Sequence, residues 1–207
     1  MGIKKVELVL EGNKRTVRVK GHKKLSDDAL GYNMSVDEKK KTYKITKIKG
    51  KELDDELQRL GANDSYEGFT TNSTGYMGRI AIVSEDPPDW DLAETKHGLY
   101  WTASGTSAYF HDRELNCWAA NPSPIDTHWY KSSCKYTGLS TIDGGRTITS
   151  SAYASYYNYD FWENDKRTDI THDITIHGYY SGGFDYYWDF TETGEGSYLL
   201  DTNAFIY

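Results

Sequence analysis

The sequence predicts a mainly β protein, an antiparallel β-sandwich of Greek-key or jelly-roll type preceded by a small basic hairpin-and-helix segment. Three observations carry this expectation. From residue 75 onward, short runs of period-two hydrophobicity follow one another; the cleanest sets Phe184, Tyr186, Trp188 and Phe190 against Asp185, Tyr187 and Asp189. Gly-rich turns separate the later runs at Asp143-Gly144-Gly145, Ser181-Gly182-Gly183 and Gly194-Glu195-Gly196. Helical periodicity is almost absent from the same stretch.

The charge is divided sharply along the chain. Residues 1 to 60 carry a net +6 and no Trp, whereas residues 61 to 207 carry a net −13, all six Trp and both Cys. This shift divides the sequence into a basic segment, 1–66, and an acidic, aromatic-rich sandwich domain, 67–207, with Gly61 to Gly68 as the polar linker.

In the basic segment, Val6, Leu8 and Leu10 precede a Gly12-Asn13 turn and then Val17 and Val19, the pattern of a β-hairpin. Thr42 to Ile48 reads as a third strand with Tyr43 and Ile45 on one face. Leu53, Leu57 and Leu60 fall at helical spacing, and Gly61 is placed to end the helix in a left-handed residue. So little apolar material in so polar a segment leads us to expect that the hairpin packs on, or extends, something else.

In the acidic part the expected strands are Arg79–Val83, Leu99–Thr102, Ala108–Phe110, Leu115–Ala119, His128–Tyr130, Thr147–Tyr157, Ile170–Tyr180, Phe184–Phe190 and Ser197–Leu200. Cys117 and Cys134 flank the turn-rich run Asn121 to Thr127, so a hairpin closed there sets them opposite each other within disulfide reach. A disulfide implies an oxidising compartment, and hence an extracellular or cell-surface protein. No apolar leader follows Met1-Gly2-Ile3-Lys4-Lys5, so a leader is expected to have been removed from the chain as written. No run approaches the roughly 20 apolar residues of a membrane-spanning helix.

The sequence lacks a phosphate loop, a dinucleotide fingerprint, a His-Glu-x-x-His helix, a Cys-x-x-Cys pair and a Gly-x-Ser-x-Gly elbow, which argues against the enzymes those motifs announce. Two acidic loops are candidate Ca²⁺ sites, because hard cations take several oxygen ligands: Asp86, Asp89 and Asp91 in one, Asp160, Glu163, Asp165 and Asp169 in the other. Neither matches an EF-hand, and each also reads as a solvated turn. His172 shares a face with Ile170, Ile174 and Ile176 and is expected in the core; His177, with Asp173 and Thr175, faces outward.

The rings outnumber what one sandwich interior holds. Trp118, Trp129, Tyr157, Tyr159 and Tyr187, with Asp185 and Asp189, are candidates for a carbohydrate or protein contact, rings stacking while carboxylates take hydroxyls. Three functions follow in order: a non-catalytic surface protein acting through self-assembly, adhesion or contact with another surface protein; a carbohydrate-binding module, with Ca²⁺ as its one candidate cofactor; and a glycan-cleaving enzyme. Nucleic-acid binding is disfavoured, since the basic segment mixes 16 cations with 10 acids and adjoins a repelling domain.

Overall fold

The structure is a computed structural model that describes residues 2–62, 74–86, 90–121, 128–161 and 166–207. Two six-stranded antiparallel sheets form a sandwich, confirming the predicted class. The first sheet contains β1 (Gly2–Glu11), β2 (Lys14–Lys23), β8 (Tyr130–Ile142), β9 (Thr147–Asn158), β10 (Thr168–Tyr179) and β11 (Phe184–Gly194), in the order β1-β2-β11-β10-β9-β8. The second contains β3 (Leu30–Asp37), β4 (Thr42–Ile48), β5 (Thr74–Glu85), β6 (Asp91–Ser104), β7 (Ser107–Ala119) and β12 (Asp201–Ile206), in the order β4-β3-β12-β5-β6-β7. The basic segment thus gives two strands to each sheet. The run proposed as a linker lies, from residue 63 on, outside the described residues.

Alternation fixes which side of each strand is inward. In β10, Ile170, His172, Ile174 and Ile176 are buried while Thr171, Thr175 and His177 are half-buried on the other side. The inner faces meet in one large cluster that includes Val17, Val19, Met34, Ile80, Trp101, Phe184, Tyr186 and Trp188. In-strand glycines make room for its rings: a Cβ at Gly178 would lie 2.6 Å from Trp101, and one at Gly78 would lie 2.8 Å from Phe184. His172 is fully buried between Ser84 Oγ (3.0 Å) and Thr95 Oγ1 (2.9 Å), a satisfied core histidine whose burial drives its pKa down to about 3.

The basic hairpin is joined to the acidic sheet by β2 pairing with β11. Arg15, inward-facing on β2, donates through Nε to Glu192 Oε2 and through Nη2 to the Leu200 carbonyl at 2.7 Å; both charged side chains are essentially buried. Burial pushes the Glu192 carboxyl up to about 7, with Arg15 opposing the shift. Helix α1 (Lys51–Arg59) lies on the outer face of the second sheet, where Leu53 and Leu60 cover Ile48, Ala81, Val83 and Phe205. Its end is as read from sequence: Gly61 has φ 69° and Ala62 N–H donates to Leu57 O at 2.8 Å.

Several elements differ from the sequence reading. Residues 107–119 form one strand, not two, and Ser197–Leu199 is a 3-10 turn, the last strand being β12. β3 and most of β8 were not anticipated. The disulfide Cys117–Cys134 is present, with Cα atoms 6.1 Å apart, but it does not close a hairpin. β7 and β8 are edge strands of different sheets, so the bond staples the sheets together along one margin. Side chains add to that seam: Lys131 Nζ donates to Cys117 O (3.0 Å), Tyr136 Oη to Arg113 O (3.0 Å) and Arg113 Nη1 to Gly138 O (3.1 Å).

Replacing either member of the buried pair alone, Arg15→Met or Glu192→Leu, is expected to cost about 3–5 kcal/mol, because the other charge is left buried and unpaired. The double variant should regain most of that loss in urea denaturation. Breaking the staple by Cys117→Ser with Cys134→Ser should cost about 2–4 kcal/mol in the same assay.

Candidate functional site

The outer face of the first sheet gathers more of the predicted contact residues than any other described surface. Because β-pairing brings directly opposite residues to within about 5 Å, register converts separate strand patterns into rows. One row runs Tyr130, Tyr157, Asp169 and Thr193 across β8, β9, β10 and β11. Another contains Lys135, Tyr153, Asp173, Asp189, Arg18 and Glu7, crossing all six strands. Between them lies a row of hydroxyls, Ser133, Ser155, Thr171, Thr191 and Thr16.

At one end of the face the rings form a platform. Tyr130 and Tyr157 stack with centroids 5.4 Å apart and planes 23° apart, and Tyr159 meets Tyr157 edge-on at 5.5 Å. The Arg167 guanidinium lies 4.7 Å from the Tyr157 ring and 5.6 Å from that of Tyr159. Arg167 also holds Asp169 through two nitrogens, Nε at 2.9 Å and Nη2 at 2.6 Å from Oδ1. These contacts fix the rings in place while Tyr130 and Tyr159 remain 44% and 46% exposed, so the platform is both ordered and open.

The middle of the face is a charged depression of about 440 Å³ lined by Lys5, Glu7, Arg18, Lys20, Thr175, Tyr187 and Asp189. Asp173 and Asp189 sit directly opposite each other, a like-charge cross-strand pair that costs stability. Burial pushes Asp189 up to about 6; the Asp173 charge adds to the shift and Arg18, with Nε 3.5 Å away, opposes it. Lys20 Nζ stands 4.7 Å above the Tyr187 ring. Farther along, His177 accepts or donates through Nδ1 to Thr149 Oγ1 at 2.8 Å and meets Tyr187 edge-on, while His22 Nδ1 lies 2.6 Å from Asp185 Oδ1.

Of the predicted contact residues, Tyr157, Tyr159, Tyr187, Asp185 and Asp189 therefore share this face. Trp118 is half exposed on β7, away from it, and Trp129 is buried in a core cluster with Leu92, Tyr156 and Ile170, so its ring has no surface to offer a ligand. Tyr130, at the end of the expected strand His128–Tyr130, joins Tyr157 and Tyr159 on this face; Arg18, Lys20 and Arg167 were missed as site residues. The +6 segment was the available signal for Arg18 and Lys20, since its charge indicated an acidic surface to lie against.

The acidic loops behave differently. Asp89, Glu163 and Asp165 lie outside the described residues. Asp169 is engaged by Arg167, and the Asp86 side chain accepts the Trp90 N–H at 3.1 Å, closing its turn. No group of three or more His, Cys, Asp or Glu among the described residues is placed to hold a metal ion. Asp91 instead joins Glu85 in a cleft of about 380 Å³ beneath α1, lined also by Glu52, Glu56, Asn33 and Asn203. Asn203 Nδ2 donates to Glu85 at 2.7 Å, and Arg59 spans Glu56, Asp91 and Glu94. Burial first, then the Asp91 charge, pushes Glu85 up to about 8.

This carboxyl is raised in the folded state, so its contribution to stability is complete below the ordinary carboxylate range and is lost as pH rises through about 8. Stability measured by urea denaturation should therefore fall between pH 5 and pH 9, with a slope of at most about 1.4 kcal/mol per pH unit from this proton. Glu85→Gln should flatten that fall, and an unchanged slope would remove Glu85 as its source. No family model matches the chain, and neither a curated protein nor a solved structure is significantly similar to it.

Proposed function

We propose that this is a non-catalytic extracellular or cell-surface β-sandwich protein that acts by contact, and that the outer face of its first sheet binds a polyhydroxylated ligand, a glycan. The observation that carries this reading is the Tyr130–Tyr157–Tyr159 platform, held by Arg167 and open to solvent. A pyranose has an apolar face that stacks on such rings, and its hydroxyls need donors and acceptors around the edge. The adjoining hydroxyl row and the Asp173–Asp189 row supply both.

The like-charge pair fits the same reading. A protein tolerates directly opposed carboxylates on a sheet face when something else uses them, and ligand hydroxyls donating to both would offset their repulsion. The Cys117–Cys134 bond suits an oxidising compartment and supports placement outside the cell. The charge division, which favoured self-assembly, is already used within the chain, where β2 lies against β11 through Arg15–Glu192, Arg18–Asp189 and His22–Asp185. This observation moves the balance from assembly towards ligand binding.

A glycan array followed by calorimetry on the best hit tests the proposal. Tyr157→Ala and Tyr159→Ala should each weaken binding about ten-fold, the worth of one aromatic stack, with the thermal transition unchanged for the exposed Tyr159. An array without hits, or hits insensitive to both substitutions, would overturn it.

A further inference from the structure

The two margins of the sandwich are finished differently. The sheets run in the same order, so β7 meets β8 at one margin, sealed by the disulfide, and β1 faces β4 at the other. Tyr32 of β3 reaches β1 there, its hydroxyl close to Gly2 and hydrogen-bonded to the backbone of Ile3. Beyond that contact the core is left ajar. Val6 and Leu8 of β1 pair with the fully buried Val19 and Val17 and point inward, yet both stay half exposed. On β4, Ile45 and Tyr43 pair with Met34 and Val36 and point inward too; Ile45 is half exposed and Tyr43 is 40% exposed.

The rim of this opening is basic to an unusual degree. Seven Lys and no acid occur from Lys39 to Lys51, a span that contains the whole of β4. Among the described residues, Lys40 alone of the seven has a carboxylate partner, Asp37 at 2.9 Å. A lysine or two suffices to stop an edge strand pairing with a copy of itself. A run of seven with one counter-charge among the described residues does more: it repels a second β4 and attracts an acidic strand. Beneath it lie apolar side chains, Val6, Leu8 and Ile45, that pack against the core yet are only partly covered by the described residues, and beside them the exposed Tyr43.

We propose that the β4 edge is a docking site for an extended, acidic segment of a partner protein, which adds a strand beside Thr42–Ile48 and lays alternate apolar side chains over Tyr43, Ile45 and Leu8. Main-chain pairing supplies affinity in such a mode, and pockets for every second side chain supply specificity. Charge complementarity with the uncompensated lysines selects the partner. The site is separate from the glycan-binding face and does not depend on it.

The probe is a fluorescein-labelled octapeptide alternating Val and Glu, titrated into the full chain by anisotropy. Saturable binding is expected, weakened about ten-fold or more by Lys44→Glu with Lys47→Glu, and to a similar extent by Ile45→Asn. Both variants change half-exposed or exposed positions, and an unaltered near-ultraviolet dichroism spectrum certifies their fold. A peptide N-methylated at alternate residues should not bind, since it cannot extend the ladder. The proposal is overturned if the probe does not bind, or if the N-methylated peptide or an octaglutamate binds equally well. It is also overturned if the chain alone forms dimers that compete with the probe, or if anionic vesicles bind in place of the probe.

Discussion

The architecture rests on the joint between β2 and β11. Without it the first sheet would end at β11, and the inner cluster would lose Val17 and Val19 from its middle. The joint is specified by charge. Buried Arg15 meets buried Glu192, and on the opposite face Arg18 meets Asp189, so a slip of one residue would bury Arg18 and expose Arg15. A buried ion pair is a poor source of net stability, but a misplaced one is costly, and here that cost fixes register. The charged depression depends on this register, because β1 and β2 bring Lys5, Glu7, Arg18 and Lys20 to it and β10 and β11 bring Thr175, Tyr187 and Asp189; the aromatic platform is set instead by the pairing of β8, β9 and β10.

Legibility from sequence followed exposure. β10 and β11 each have one face in the core and one in solvent, and their period-two pattern announced both strands, although β11 runs on past the expected Phe190 to Gly194. β12 is covered on both faces, by the core and by α1, so Ala204, Phe205 and Ile206 are all buried and no alternation exists to be read. β8 fails for the opposite reason. It is an edge strand exposed along most of its length, with register shifts at Lys131/Ser133 and Tyr136/Gly138 that break the period. With most of β8 unread, the register that sets Tyr130 against Tyr157 was hidden, and with it the stack that turns Tyr157 into a platform.

The cysteine pair shows the same limit from another side. Even count and symmetric spacing about a turn identified the bond, but not that its strands belong to different sheets. Proximity in three dimensions was readable, whereas layer assignment was not. Similarly, Asp169 and Asp91 looked like cation ligands in sequence because carboxylates crowd near them; the fold supplied Arg167 and Arg59, which lie far from the expected ligand sets in function if not in distance.

The position of β12 between β3 and β5 bears on how the chain is made. β3 has no partner on that side until residues 201–206 have been synthesised, and β2 likewise waits for residues 184–194. The first quarter of the polypeptide, basic and rich in strand-forming residues, therefore leaves the ribosome able to form only its own hairpins, β1–β2 and β3–β4, long before β11 and β12 exist to receive them. Lysine on exposed strand edges disfavours pairing between like copies, and residues 1–60 carry 16 Lys and Arg against 10 acids while their later partners are still missing.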